Sequence, residues 1–497
     1  MCARRRAHLL LIMNPIAALS WSEVLAKFQQ IWGYNDFRPP QGEIVQSLLA
    51  QKDALIIMPT GGGKSICFQL PALLQTGVTL VVSPLVALME NQVQELRERN
   101  LPAALLHGEL SSSQRQKTLQ ALERQQLKLL YLSPETLLSK PVWERICLPH
   151  LKINGIILDE AHCLVQWGET FRPTYRRLAA VRPALLKSKP KGTTICMAAF
   201  TATAEPLAQK TIKKVLDLKH PAVFRINPYR DNLNPNVLIV WTPNARKIQL
   251  LKFLQKRKRE SGLIYVRTRQ DSESLALWLH QLGYSTIAYH AGLSAEERRK
   301  VESEWLAGRI LFVVCTCAFG MGINKPDVRW VVHYQAPLLL SEYVQEIGRG
   351  GRDGKPAEAL TFISEPTGWF NPEDKQRQQS FENTIYQQQI DARRLIKNLP
   401  RTGEVSAVTK EFPNSGIALS LLHSSGQLTW IDPFNYVINP GAGSQKIAPL
   451  DGAKEMNRYL STKKCRWQFL LNAFGFEKEA ENFSCGHCDN CQKGGNW

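Results

Sequence analysis

The run Pro59-Thr60-Gly61-Gly62-Gly63-Lys64-Ser65 sets three glycines directly before a lysine and a hydroxyl. Bare backbone can close its N–H groups on phosphate oxygens, Lys64 can reach β- and γ-phosphates, and Ser65 can hold Mg²⁺. The strict pattern wants a small residue where Met58 stands, so the match rests on the glycines and Lys64-Ser65. Downstream, Asp159-Glu160-Ala161-His162 offers two adjacent acids. Phosphoryl transfer to water needs a carboxylate on the metal shell and a group that orients the water, which suits Asp159 and Glu160 respectively. Such chemistry also needs a cation facing the γ-phosphate from the other side. Arg349 and Arg352, in Gln345-Glu346-Ile347-Gly348-Arg349-Gly350-Gly351-Arg352, are the candidates, and the sequence does not rank them. A separate constellation closes the chain: Cys465, Cys485, Cys488 and Cys491 have the spacing and softness for tetrahedral Zn²⁺. Four sulfurs fill the shell, so His487 is a bystander and the metal is structural.

These groups require elements to hold them. Asp53 to Met58 reads as a buried strand running into the glycine loop, and Ile66 to Leu74 as the helix after it. Gly155 to Leu158 is a second apolar strand, ending at the acids. Apolar runs alternating with helical patterns predict a parallel sheet covered by helices. A second such series begins at Gly262 to Val266, with the linker placed near Arg225 to Thr242. The fold class is therefore α/β, two tandem P-loop-type lobes with a small helical zinc-binding domain. Between them, Val405 to Phe412 and Ile417 to His423 read as short helices, and Gln427 to Ile431 with Tyr436 to Asn439 as a hairpin. That order suits a small winged helix or an equally plain structural insertion. Phe434 and Tyr436 are its candidate strand-separating wedge.

The 497 residues carry 62 Lys and Arg against 43 Asp and Glu, a formal charge of +19 that favours a polyanionic partner. Hydrophobic residues make up 44%, enough for real cores, which excludes a disordered chain. No run approaches the roughly 18 apolar residues of a membrane span. Arg4 to Arg6 and Leu9 to Met13 imitate a signal peptide, but Asn14-Pro15 cut the run short. Residues 1–16 are expected to be disordered or an upstream extension, with Met13 an alternative start. Seven other cysteines, Cys2, Cys67, Cys147, Cys163, Cys196, Cys315 and Cys317, read as reduced thiols of a cytoplasmic protein.

Together the motifs resemble a superfamily 2 helicase, and further segments are similar to the RecQ family. Trp32-Gly33-Tyr34 with Phe37, Arg38 and Gln41 resembles the motif in which the family's Gln reads adenine. The resemblance implies nucleic-acid contacts at Ser83-Pro84 and Ser133-Pro134-Glu135. It makes Thr201 and Thr203, within Phe200-Thr201-Ala202-Thr203-Ala204, the link from hydrolysis to strand movement. It further implies DNA contact or coupling at His162, Arg172, Arg267, His290, Thr316 and Phe319. The stretch Cys163 to Pro173 resembles the family's aromatic loop, with Gln166, Trp167 and Phe171 suited to stacking on bases. It departs from the pattern at Val165 (Ser in the family) and at Glu169-Thr170 (His-Asp), which implies intact stacking and an altered polar relay.

The resemblance implies lobes at 17–225 and 226–365, a RecQ-type zinc domain at 366–401 and 445–497, and an insertion at 402–444. With six residues after Cys491, the winged helix and HRDC domain of many relatives are expected to be missing. It implies ATP, Mg²⁺ and Zn²⁺, single-stranded, forked or junction DNA, and 3′ to 5′ unwinding in recombination and repair. A monomer, cytoplasmic and nucleoid-associated, working with single-stranded-DNA-binding or recombination proteins, is the expectation. Three other readings stay open: an RNA helicase, a translocase or annealing factor that separates strands poorly, and a passive zinc-dependent DNA binder.

Overall fold

The computed structural model describes residues 19–59, 61–165, 172–257, 259–320, 323–413, 415–441 and 452–493. Its first lobe is a seven-stranded sheet in the order β3-β4-β2-β5-β6-β1-β7. The strands are β1 (Ala54–Ile57), β2 (Val78–Val82), β3 (Ala103–Leu106), β4 (Leu129–Leu132), β5 (Ile153–Leu158), β6 (Cys196–Thr201) and β7 (Ala222–Arg225). Every pairing is parallel. Helices cover both faces, which is why β1, β2 and β5 are buried along their whole length and do not alternate. Only the edge strand β7 alternates between half-buried and exposed.

The second lobe is a six-stranded parallel sheet, β10-β11-β9-β12-β13-β8. It contains β8 (Leu233–Val240), β9 (Ser261–Tyr265), β10 (Thr286–Tyr289), β11 (Phe312–Cys315), β12 (Val328–His333) and β13 (Ala357–Ser364). The expected linker at 225–242 is too long: 233–240 is an edge strand, and the chain crosses between sheets in 226–232. Pro235, which reads as a strand breaker, is tolerated because β8 pairs on one side only.

After β13 comes a 26-residue polar helix, Glu373–Asn398. Then β14 (Thr402–Glu404), helices Val405–Glu411 and Ser415–Ser424, β15 (Leu428–Trp430) and β16 (Asn435–Ile438) form a winged unit with an antiparallel sheet β14-β16-β15. Its core is Leu419, Leu422, Trp430 and Tyr436, closed by Ala392 and Leu395 of the long helix. Helices Gly452–Ser461 and Arg466–Ala473 lead into the cysteine cluster. Among the described residues no helix is long and apolar enough to cross a membrane.

Candidate active site

The glycine loop joins β1 to the helix Lys64–Leu74, whose first residue is the lysine itself. Met58 is fully buried beneath the loop, and a Cβ on Gly62 would lie 2.7 Å from its Cγ. Glycine at 62 is thus what lets a methionine occupy the place of the usual small residue. Gln41 is buried over the loop, its Nε2 donating to the Gly62 carbonyl at 3.0 Å while its Oε1 accepts from the Arg38 amide at 3.0 Å. Thr60 lies outside the described residues.

At the end of β5 the acids face that loop. Lys64 Nζ stands 4.0 Å from Glu160 Oε1, and His162 Nδ1 is 3.2 Å from Glu160 Oε2. Glu160 has φ of 49°, a left-handed conformation unusual outside glycine, of the kind functional sites retain under strain. Burial and the adjacent Glu160 charge raise the Asp159 pKa, with Lys64 opposing. Burial works against charge on Glu160 as well, but Lys64 and His162 outweigh it and hold the carboxylate below its usual range. Lys64 is thus partnered by Glu160, where a phosphate could take the carboxylate's place, and Asp159 is a buried carboxylate that could hold Mg²⁺.

The second lobe supplies both arginines. Arg349 is buried, its guanidinium bonded to the Gly320 carbonyl. Gly320 has φ of 97°, and a Cβ there would lie 2.6 Å from the guanidinium, so this seat also requires glycine. Arg352 donates through Nη1 to the Ile323 carbonyl at 3.0 Å. Its Cγ and Cδ lie 3.9 Å from the Cβ position of Gly61, against the phosphate loop. Its Nε and Nη2 are buried and have no hydrogen-bond partner among the described residues, and burial with the Arg349 charge pushes its pKa down to about 9. Burying two guanidinium nitrogens with unmet donors is costly unless an anion arrives.

One contact missed by sequence reasoning closes the cleft. Gln345 Nε2 reaches Thr203 Oγ1 at 3.2 Å and His162 Nδ1 at 3.4 Å, while Thr201 Oγ1 lies 3.2 Å from that same His162 nitrogen. The expected coupling residues His162, Thr201 and Thr203 therefore share one buried polar cluster with the second lobe. Gln345 stood within the arginine motif, but nothing in its spacing marked it. Glu346 was also missed: it is buried, pairs with Arg267 at 2.9 Å and His333 at 2.9 Å, and fixes the helix Leu340–Ile347.

Four residues expected to contact DNA or couple to it are buried or engaged within the second lobe. Phe319 is fully buried among Tyr289 and Trp305, with ring centroids at 4.7 and 5.2 Å, because it fills the second lobe's core. The Arg267 guanidinium is committed to Glu346 and the Gln335 carbonyl. His290 is buried, with Nε2 on Glu273 at 2.9 Å and Nδ1 accepting from the Gly292 amide. Thr316 is likewise buried, beside the Ala318 amide at 3.4 Å. In the first lobe Ser83 is buried, its hydroxyl without a partner among the described residues, and Arg172 Nη2 donates to the Pro84 carbonyl at 2.8 Å. Gln166, Trp167 and Phe171 lie outside the described residues. Of the two wedge candidates, Tyr436 is fully buried and Phe434 packs edge-on against Trp143 of the first lobe at 5.3 Å.

The sulfurs of Cys465, Cys485, Cys488 and Cys491 all lie within 4.8 Å of one another. Zn–S bonds of about 2.3 Å put tetrahedral sulfurs about 3.8 Å apart. The Cys485–Cys491 and Cys488–Cys491 separations are 3.8 and 3.4 Å, so the donor set fits Zn²⁺. Backbone amides of Cys485, Cys488 and Arg466 point at sulfurs, which suits thiolates. His487 turns to Tyr229 at 3.4 Å. This region packs on the arginine motif's helix: Tyr459 bonds Tyr343 at 2.8 Å, and Trp467 Nε1 donates to the Leu233 carbonyl at 3.0 Å. It also reaches the first lobe, where Arg225 donates to the Gly475 carbonyl at 3.2 Å.

Three family descriptions match the chain: DEAD/DEAH box helicase at 38–211, Helicase conserved C-terminal domain at 245–354, and RecQ zinc-binding at 433–492. The ATP-dependent DNA helicase RecQ of Synechocystis is 53% identical over 94% of this chain and 97% of its own length. The RecQ of Pasteurella multocida is 38% identical over 70% of this chain but 54% of its own, and the rat ATP-dependent DNA helicase Q5 38% over 69% and 36%. Yeast Dbp5 bound to RNA and ADP BeF3 superposes with a TM-score of 0.57 at 17% identity, over 72% of this chain and 90% of Dbp5. The Mycobacterium smegmatis helicase Lhr, bound to ssDNA and AMP-PNP, gives 0.55 at 19%, over 84% and 60%. At those identities the two structures speak to the fold alone.

Proposed function

This chain belongs to the RecQ family of ATP-dependent DNA helicases, and from that premise we propose how its own residues run the motor. ATP with Mg²⁺ is its fuel and Zn²⁺ its structural metal; 3′ to 5′ movement is the family's polarity. Lys64 holds the β- and γ-phosphates, Ser65 and Asp159 the Mg²⁺, and Glu160 the attacking water. Arg352 is the finger that meets the γ-phosphate, and Arg349 stands behind it, seated by Gly320. Gln41 with Arg38 reads the adenine. Gln345, Thr203 and His162 report closure of the lobes to the acids. Ser83, Pro84, Arg172 and the 166–171 segment make up the first-lobe DNA track, on single-stranded, forked or junction DNA. The domain limits proposed are 17–225, 226–365, and a zinc domain at 366–401 and 445–497 interrupted by the 402–444 unit. We further place the protein in the cytoplasm, at the nucleoid, as a monomer serving recombination and repair beside single-stranded-DNA-binding proteins.

The observation that carries this reading is Arg352, a half-buried cation whose Nε and Nη2 find no hydrogen-bond partner among the described residues and whose side chain lies against the phosphate loop of the opposite lobe. Closing the cleft on ATP satisfies it, and hydrolysis removes its partner, so binding energy becomes lobe movement. The decisive experiment compares ATP turnover with no nucleic acid, single-stranded DNA and RNA, and unwinding of tailed duplexes of each polarity, in wild type and Lys64→Ala. Stimulation by DNA over RNA, with unwinding of 3′-tailed substrate lost in Lys64→Ala, is expected. Turnover without unwinding would leave a translocase, and equal stimulation by RNA would overturn the DNA assignment.

A further inference from the structure

In a free winged helix the second short helix presents its face to a DNA groove. Here the corresponding helix, Ser415–Ser424, turns to the first lobe. Ser420 Oγ donates to the Pro173 carbonyl at 3.1 Å, and Gly416 faces Pro173, whose Cβ would lie 3.7 Å from a Cβ at 416. The hairpin of the unit grips the same place. Arg177 Nε donates to the Pro433 carbonyl at 2.6 Å, and the Arg177 guanidinium lies 5.9 Å over the Phe434 ring. Asp432 fixes that hairpin by accepting from the Phe434 and Asn435 amides at 2.7 and 2.9 Å.

What is gripped is a five-residue helix, Pro173–Arg177. One turn or so of helix has no stability of its own, so its position is set by what packs on it. Its inner side reaches the catalytic acids: Tyr175 is fully buried and its hydroxyl donates to the Asp159 carbonyl at 3.0 Å. Its leading neighbour Arg172 holds the Pro84 carbonyl, in the loop assigned above to DNA. The short helix thus joins a DNA-contact loop to the backbone that aims Asp159, and the winged unit holds it from outside.

We propose that the 402–438 unit is an internal brace, with Phe434 as its positioning residue, that fixes helix Pro173–Arg177 and so sets how strongly DNA binding raises ATP hydrolysis. The proposal rests on the ATPase reading above and assigns the unit a coupling role in place of groove reading. Without DNA the short helix has nothing to transmit, so loosening it leaves basal turnover alone. With DNA bound, a loose helix lets the Pro84 loop move without moving Asp159.

The test uses the full chain with Zn²⁺ in place, in wild type, Phe434→Ala and Phe434→Tyr. Trp143→Leu, on the lobe side of the same contact, is made alongside so that the result does not hang on one variant folding. ATP turnover is measured without DNA and across a titration of single-stranded oligonucleotide. In Phe434→Ala and Trp143→Leu, DNA-stimulated kcat should fall about fivefold or more, the usual scale of site-to-site coupling. Basal kcat and the KM for ATP should hold, and Phe434→Tyr, which keeps the ring, should restore stimulation. Tyr175→Phe should lower the stimulated rate and add nothing to Phe434→Ala. Full stimulation in Phe434→Ala, or basal and stimulated rates falling together, overturns the brace. A wild-type protein that DNA does not stimulate would instead overturn the functional reading, and the brace with it.

Discussion

Gln345 of the second lobe donates its amide to the Thr203 hydroxyl of the first at 3.2 Å, so the two sheets are joined by a hydrogen bond across the nucleotide cleft. Half-exposed pairs at the other seam, Arg299–Glu90 at 3.6 Å and Arg298–Glu109 at 3.9 Å, add little in water. The half-buried Gln345–Thr203 contact is the one that can register whether the lobes are closed.

Gln345→Ala should therefore loosen closure more than chemistry. Losing one buried neutral hydrogen bond costs about 0.5–1.5 kcal/mol, which corresponds to a roughly two- to tenfold rise in the KM for ATP. More ATP should be consumed per base pair unwound. Steady-state ATPase beside a forked-duplex assay measures both, and unchanged values in each would remove Gln345 from the coupling cluster.

The two arginines should separate in their phenotypes. Arg352→Ala removes the cation lying on the phosphate loop, and kcat should drop by about 10³ with the thermal midpoint nearly unchanged. Arg349→Ala empties a buried seat against Gly320, so both kcat and the melting temperature should fall. Identical melting behaviour in the two variants would contradict this division.

Zinc should matter to ATP hydrolysis although it lies apart from the phosphates. Its subdomain packs Trp467 and Tyr459 against the helix Leu340–Ile347 that leads into both arginines. Cys488→Ser, or prolonged chelation, should release one Zn²⁺ per chain and lower the melting temperature and ATP turnover together. Turnover that survives complete metal loss, checked by elemental analysis, would show that the buttress is dispensable.

His423 gives the brace a pH dependence. Burial and the nearby Arg176 charge push its pKa down to about 4, from 6.5 in an open chain. At His423 the folded state thus binds fewer protons than the unfolded chain between these values. Its stability is whole above pH 6.5, declines as pH falls towards about 4, and is flat below. Other groups contribute their own acid dependence, so the check is a difference. Melting curves of wild type and His423→Gln should diverge across that window.

Much of the fold could be read directly. The strands that reach the phosphate loop and the acids are buried on both faces, so their apolar runs stand out against any neighbour. β8 and β14 were harder: an edge strand containing Pro235 reads as linker, and the three residues Thr402–Glu404 carry no pattern until they pair with β16. The winged unit's helices and hairpin were visible in the local sequence. Its docking surface was not, because Pro173 and Ser420 are far apart along the chain and meet only in three dimensions.

The sequence by itself determined the chemistry on offer: a glycine loop ending in Lys64-Ser65, the Asp159-Glu160 pair, two arginines and four zinc-spaced thiols. Those depend on residue type and short spacing, which local backbone geometry turns into sites without further help. Only the tertiary structure decided which groups are free to act. Among the described residues it left Arg352 with unmet donors while committing Arg267 to Glu346, buried Phe319 in a core, and packed Phe434 edge-on against Trp143 of the first lobe. The physical reason is that availability depends on burial and on partners brought in from distant segments, and neither is a property of a residue's neighbours in the chain.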